Sequence, residues 1–364
     1  MLRFYVNEVL SHVNVGELSP TTYAFGEPLA GIGEATMMVA IPDRLESNSL
    51  LQRIVPNKYE LVITDGDIDR GAPILWAGWI DQRDPDPAHA VVGFHATHWK
   101  GWFYRRFIPP NSFANNFIEK DEHQIAYDLL DWSVSGVGTP VLYRPSTLAG
   151  KTRQLTLQPW ASVGDSIDAV AKRDGGFEWS LGFRLGSQSG MVEILAEIWE
   201  PGAVRSSNTA LFLDNTRTTN RINVGKMGED GTIQAVRQYA TSDGDAPVWA
   251  KDENPELASD TLLLLENVTT YQDNRNTDTL FTYARSERLE RDNPYTTIPV
   301  TLGIDLPAVS AYRTGDRARL RMRDAWRNVD QSGIRIVDKS INKTDGQPPL
   351  VTVSLDMTDI QDIV

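Results

Sequence analysis

The chain has 364 residues, no cysteine and a formal net charge of −14, with 41% hydrophobic and 23% charged residues. The missing thiols exclude disulfide stapling, thiolate chemistry and cysteine–zinc sites, and leave the redox compartment open. The acidic balance excludes a basic, whole-surface footprint for nucleic acid and favours solubility, and the apolar share is too high for a disordered chain. At roughly 100–200 residues per domain, the length allows two or three domains. The N-terminal segment carries Arg3 and Glu8 and has no signal-peptide core. The leucine run 262–265 falls far short of the ~20 apolar residues of a membrane span. The expectation is a protein made soluble in the cytosol, without stable membrane anchoring.

The first hundred residues read as strands at 3–10, 35–41, 59–64, 74–80 and 90–96. Turn signals at Asn57-Lys58, Asp65-Gly66-Asp67 and Arg70-Gly71 separate them, a spacing that predicts a sandwich or barrel. The richest stretch is 74–107. Two alternating apolar runs are joined by the breakers Asp84, Pro85, Asp86 and Pro87 and lead into Trp99, Trp102, Phe103 and Tyr104. This predicts a hairpin or two neighbouring strands feeding an aromatic cluster, a part made to pack and assemble rather than to react.

Pro109-Pro110-Asn111 marks a domain boundary. Ile125, Leu129 and Leu130 give helical spacing over 121–132, and Ser162 to Asp165 resembles a capping box ahead of Ile167, Val170 and Ala171, with Asp174-Gly175-Gly176 as the stop. Strands are expected at 177–185 and 191–199, then a loop at 201–208. The last third predicts strands at 222–226 and 232–239 around a turn at 229–231, a polar loop at 241–254, and a helix at 277–291 with Leu280, Phe281, Ala284 and Leu289. Four strands follow, at 297–302, 317–323, 334–338 and 350–357, the last alternating Val351, Val353 and Leu355 with polar residues. There is no short tandem repeat, only a coarse echo: β-rich, α+β, β-rich. The fold class is mainly β with an α+β insertion, divided as 1–108, 109–221 and 222–364 with the helix at about 277–291.

Candidate chemistry is sparse. His89, His95 and His98 lie close in sequence, but residues 95 and 98 of a strand point to opposite faces, and no carboxylate motif accompanies them. Asp65, Asp67 and Asp69 resemble the start of a calcium loop, yet Arg70 stands where its glycine belongs and Trp76 where its bidentate glutamate belongs. Gly31 and Gly33 precede no helix that could hold a phosphate. No nucleophile elbow or zinc-protease motif is present, and no pair among the many carboxylates is singled out as a glycosidase pair. No catalytic residue, metal or cofactor is therefore expected. Ten tryptophans admit sugar stacking, although strand and helix positions for most of them favour packing. In Ala318-Arg319-Leu320-Arg321-Met322-Arg323 the arginines share one face. That face is either solvated or a basic ladder pairing with an acidic neighbour or backbone oxygens across a subunit contact.

The order of the last third carries a resemblance. A helix ending Ala284-Arg285-Ser286-Glu287-Arg288-Leu289-Glu290-Arg291 precedes a strand through Ile298-Pro299-Val300-Thr301-Leu302. Then come Tyr312-Arg313-Thr314-Gly315-Asp316, Asp324-Ala325-Trp326, Gly333-Ile334-Arg335-Ile336-Val337 and the closing Val351-to-Asp356 strand. This is similar to minor tail proteins of long-tailed actinobacteriophages (siphoviruses), and Leu75-to-Ile80 with Gly93-Phe94 and Trp102-to-Arg106 resembles their N-terminal region. The motifs are turns and packing residues, loose in the middle of the chain.

The resemblance implies a virion protein of the tail tip, a baseplate hub with two tube-like β domains in one chain and an α+β decoration. It implies a homotrimer of pseudo-sixfold symmetry that joins a sixfold distal-tail ring to a threefold tip, contacts the tape measure protein and other minor tail proteins, and takes part in opening for DNA ejection. It implies no direct sequence-specific contact with nucleic acid. No long extension follows the second β-rich module, so receptor binding and wall cleavage are expected of neighbouring proteins. The residues expected at interfaces are Arg319, Arg321 and Arg323, with Trp76, Trp79, Trp99 and Trp102 anchoring the N-terminal module. The rival readings are a glycan-binding receptor module using exposed tryptophan and a tail-associated cell-wall hydrolase.

Overall fold

The computed structural model describes residues 1–42, 49–110, 117–135, 141–143, 150–155, 157, 160–173, 176–186, 192–200, 211–216, 222–232, 234–243, 246–255, 264–271, 275–293, 295–304, 307–323 and 328–357. In chain order the N-terminal elements are β1 (Leu2–Glu8), β2 (Asn14–Leu18), β3 (Pro20–Pro28), β4 (Glu34–Ala40), α1 (Leu50–Arg53), β5 (Tyr59–Asp65), β6 (Ile74–Asp86), β7 (Val91–His98) and α2 (Lys100–Phe103). The middle holds β8 (Phe117–Asp121), α3 (Glu122–Val134), β9 (Val141–Tyr143), β10 (Thr152–Leu155), α4 (Val163–Ala171), β11 (Glu178–Leu185), β12 (Val192–Trp199) and β13 (Leu211–Asp214). Then follow β14 (Asn223–Val224), β15 (Gly228–Asp230), β16 (Arg237–Ser242), β17 (Trp249–Glu253), β18 (Glu266–Tyr271), α5 (Thr277–Arg291), β19 (Tyr295–Gly303), β20 (Arg317–Arg323), β21 (Asn328–Lys343) and β22 (Leu350–Asp356).

The protein is mostly β with few helices, and its centre is one curled, largely antiparallel 14-stranded sheet. The N-terminal strands run in the order β2-β1-β5-β6-β7-β4-β3, and β3 then pairs with β21, which continues through β22 to β19 and also pairs β20. That seam aligns Tyr23–Pro28 with Asp338–Lys343, joining the two ends of the chain by backbone hydrogen bonds. Alternation drives these strands: in β4, Ala35, Met37 and Val39 are buried while Glu34, Thr36 and Met38 are exposed. In β20, Ala318, Leu320 and Met322 are fully buried. The inward residues of both halves form a single core, from Phe4, Phe25 and Phe94 to Ile298, Leu320 and Val353.

A second core explains the continuous apolar run Leu61-Val62-Ile63. These strands are covered on both faces, so Tyr5, Val62, Ala77 and Trp79 pack outward onto Ile125 and Leu129 of α3, Ile167 of α4 and Leu181 of β11. The helices start where their caps dictate. The Asp121 carboxylate accepts from the N–H groups of His123 and Gln124, and Ser162 Oγ from that of Asp165. A separate three-stranded sheet, β17-β16-β18, lies under α5, which Asn276 caps and Arg288 and Arg291 close.

Several expectations change. Residues 14–28 form β2 and β3, where no strand is expected. The breakers at 84–86 lie inside β6, and the turn falls at 87–90 instead. Pro85 is tolerated because β6 pairs with β5 only as far as Trp79, so it breaks no second ladder there. The expected loop 241–254 contains β17, and the expected turn 229–231 begins in β15. The expected strand 334–338 is the middle of the longer β21. Asp174, Gly175 and the expected loop 201–208 lie outside the described residues.

Candidate functional site

Among the described residues, a polar constellation lies at the junction of the two β halves with the α+β unit. Arg313 donates to Glu197 Oε2 at 3.2 Å and to the Leu181 carbonyl at 3.1 Å, and its guanidinium lies 3.7 Å from Glu27 of β3. Glu27 also accepts from Ser180 Oγ of β11 at 3.1 Å. Buried Lys339 donates from Nζ to the carbonyls of Val309 and Tyr312 at 2.6 and 2.7 Å and stands over the Tyr312 ring. Burial pushes the Tyr312 phenol above its ordinary pKa. Arg335 of β21 pairs with Glu178 of β11. Side chains from β3, β11, β12, β21 and the 309–313 segment thus meet at one place, and the chemistry there is cross-linking.

A second buried cluster sits at the N-terminal edge. Glu60 of β5 accepts from Asn7 Nδ2 at 3.1 Å and from Trp99 Nε1 at 2.9 Å, with His12 Nδ1 at 3.0 Å. Glu60, His12 and Asn7 have no exposed surface. Neither cluster is expected from the sequence. An acid inside the apolar run of β5 was the available signal for Glu60. Arg313 and Lys339 carry no local signal, because their partners are distant in the chain.

The four expected interface tryptophans are mostly interior. Trp76 is 1% exposed and donates from Nε1 to the Gly26 carbonyl at 3.2 Å; Trp79 and Trp99 are buried and face each other. Trp102 is half-buried and carries Arg106 on its ring, so of the four it is the one whose edge a second chain could reach. The arginine ladder lies on the outer face of β20. Arg319 donates to Asp330 Oδ1 of β21 at 2.9 Å and covers exposed Phe212, while Arg321 approaches the same carboxylate at 3.9 Å. Two guanidiniums share one acid. Arg323 is exposed, and its backbone N–H donates to Asn215 Oδ1. Because the Arg319–Asp330 pair is half-exposed, Arg319→Ala should cost the isolated chain at most about 1 kcal/mol, read from urea unfolding midpoints.

No family model matches the chain, and no curated protein matches it in sequence. Solved structures do match along nearly the whole length. A 43 kDa tail protein of prophage MuSo2 from Shewanella oneidensis superposes with a TM-score of 0.62 at 11% identity, covering 97% of this chain and 98% of that one. The tail protein from Neisseria meningitidis MC58 gives 0.62 at 13% identity, covering 98% and 96%. The chain has the fold of phage tail proteins. A type VI secretion component from Escherichia coli, itself similar to bacteriophage T4 tail proteins, shares it at a TM-score of 0.51 and 8% identity, with 93% of this chain and 73% of that one covered.

Within this tail-protein fold the remaining candidates serve local structure. Asp67 caps the turn at Ile68, and Asp65 accepts from Ser310 Oγ at 3.0 Å, tying β5 to the C-terminal half. Gly33 leads straight into β4, with no helix behind it. Among the described residues no three His, Asp or Glu side chains converge as metal ligands. His89 pairs with Asp86 in the exposed β6–β7 turn, and His98 is buried against Trp76 and Phe183.

His95 faces an open trough of about 630 Å³ across β3, β4, β6 and β7, beside Thr36, Met38 and Asp84. Its Nδ1 lies 2.5 Å from Asp81, and its Nε2 lies 3.6 Å from Glu34. Burial works against its protonation, but the hydrogen bond and charge of Asp81, with the charge of Glu34, outweigh it and hold the imidazole above its ordinary value. The stability this contributes is therefore fully present below the unfolded value and lost as pH rises through the folded one. His95→Gln should lower the urea midpoint at about pH 5, and that deficit should shrink toward about pH 9. A constant deficit would contradict it.

Proposed function

We propose that the chain is a structural protein of a phage tail tip, a baseplate hub of a siphovirus infecting an actinobacterium. The observation that carries this reading is the β3–β21 seam. It fuses two β units of one chain into a continuous sheet, and the same overall fold is shared along almost the full length with a prophage tail protein and a second tail protein. In this reading 1–108 and 222–364 are the tube-like units and 109–221 is the decoration. A chain offering two similar units is the natural adaptor between sixfold and threefold rings, because three copies then present six of them.

The proposed assembly is a homotrimer docked to a distal-tail ring, with the tape measure protein and other minor tail proteins as neighbours, and it takes part in opening for DNA ejection. Arg319, Arg321 and Arg323 would meet acidic groups of the adjacent subunit, since among the described residues Arg319 and Arg321 share the single charge of Asp330. Trp102 would sit nearest the contact on the N-terminal unit. The role is structural, with interfaces in place of a catalytic centre. Immunogold labelling of purified virions tests the reading: gold at the distal end of the tail is expected, and label on the capsid, or particles free of the protein, would overturn it.

A further inference from the structure

The small sheet β17-β16-β18 has α5 on one face, where Ala240 and Ala250 are buried against Leu280 and Tyr283. Its other face is open to solvent, and register fixes what that face presents. Arg237 lies between Glu253 and Glu266, and in the next row Tyr239 lies between Lys251 and Val268. Trp249 follows diagonally, its ring 6.0 Å from that of Tyr239 at 60°. Trp249 is 57% and Val268 62% exposed, unlike the interior tryptophans of the N-terminal unit.

The polar row is already ordered. Arg237 donates to both Glu253 oxygens at 3.0 and 3.1 Å and to Glu266 at 2.6 Å. Tyr239 OH donates to Glu266 at 3.3 Å, and Lys251 Nζ to Glu253 at 3.2 Å. Among the described residues of these rows two acids face two bases, so their charges balance. A dry protein contact would have to strip water from four charges held beside the ring, which is costly without new partners. A polyhydroxylated ligand replaces that water hydrogen bond for hydrogen bond, while its C–H face covers the indole.

We propose that this face binds neutral polysaccharide. A pyranose ring stacks on Trp249 with Tyr239 as the side wall. Neighbouring hydroxyls donate to Glu253 and Glu266 and accept from Arg237 and Lys251. The site is independent of where in a particle the chain resides, and it uses none of the junction residues.

The test titrates the full chain with neutral hexasaccharides of glucose, galactose and mannose, followed by tryptophan emission and calorimetry. At least one should bind saturably, Trp160→Ala outside this sheet should leave binding unchanged, and Trp249→Ala should weaken it by about tenfold or more. Thr270→Arg, an exposed position on the same face, provides a second variant that removes no packing and should also block binding. Absence of saturable binding across the panel would overturn the proposal. So would binding that both variants leave intact, equal binding of acidic oligosaccharides, or a Trp249-dependent contact with another tail protein in place of sugar.

Discussion

Glu60→Ala should be among the most damaging single substitutions in the chain, lowering stability by about 3–5 kcal/mol. The carboxylate is fully buried and holds Asn7 of β1, His12 of the β1–β2 turn and Trp99 at the start of α2. Asn7 in turn accepts from Asn14 of β2 at 3.3 Å, so one acid orients four segments. Removing it leaves an imidazole, an amide and an indole N–H without their acceptor in a space water does not reach, and each such loss is expensive. Urea unfolding of both proteins measures the difference. Glu60→Gln keeps the shape and one acceptor oxygen and should lose less than Ala. A midpoint for Glu60→Ala within about 0.5 kcal/mol of wild type would show that the cluster contributes no net stability.

Trp76→Ala should cost a comparable amount, about 3–5 kcal/mol, through cavity formation. The indole lies between β6 and β3 and is 1% exposed, with its N–H on the Gly26 carbonyl. The surrounding backbone is shaped to it. A Cβ on Gly78 would fall 2.6 Å from the indole and 2.1 Å from the Thr97 carbonyl oxygen, and one on Gly33 would fall 2.3 Å from the Gly26 oxygen. Neither neighbour can close the space without moving a strand, so the cavity stays open. Gly78→Ala is the converse experiment, and it should also be strongly destabilising because the clash is with backbone. By contrast Trp249→Ala, on an exposed sheet face, should leave the unfolding midpoint nearly unchanged.

Elements whose signals are local were readable from sequence. The helix expected at 277–291 is α5 with the same bounds, because its helical spacing is a local signal. The strand expected at 317–323 is β20, fixed by strict alternation of arginine with apolar residues. Elements created by distant partners were not readable. β3 carries Pro20, Gly26 and Pro28 and owes its conformation to β4 and to β21, more than three hundred residues away. β17 reads Trp-Ala-Lys-Asp-Glu, a poor strand sequence, and exists because β16 pairs with it and α5 covers it.

The candidate sites follow the same division. The arginine ladder was legible as a face, but its shared acid, Asp330, comes from another strand. The tryptophans were legible as packing residues, but which of them reach solvent depends on register that no local window contains. The grid around Arg237 and Tyr239 is wholly a product of that register.

The most direct test of the hub reading is the mass of the purified chain in solution, by native mass spectrometry and light scattering, alone and with a distal-tail ring. A trimer, or a trimer docked on a hexamer, is the expected result. A strict monomer at high concentration that also ignores the ring would contradict it.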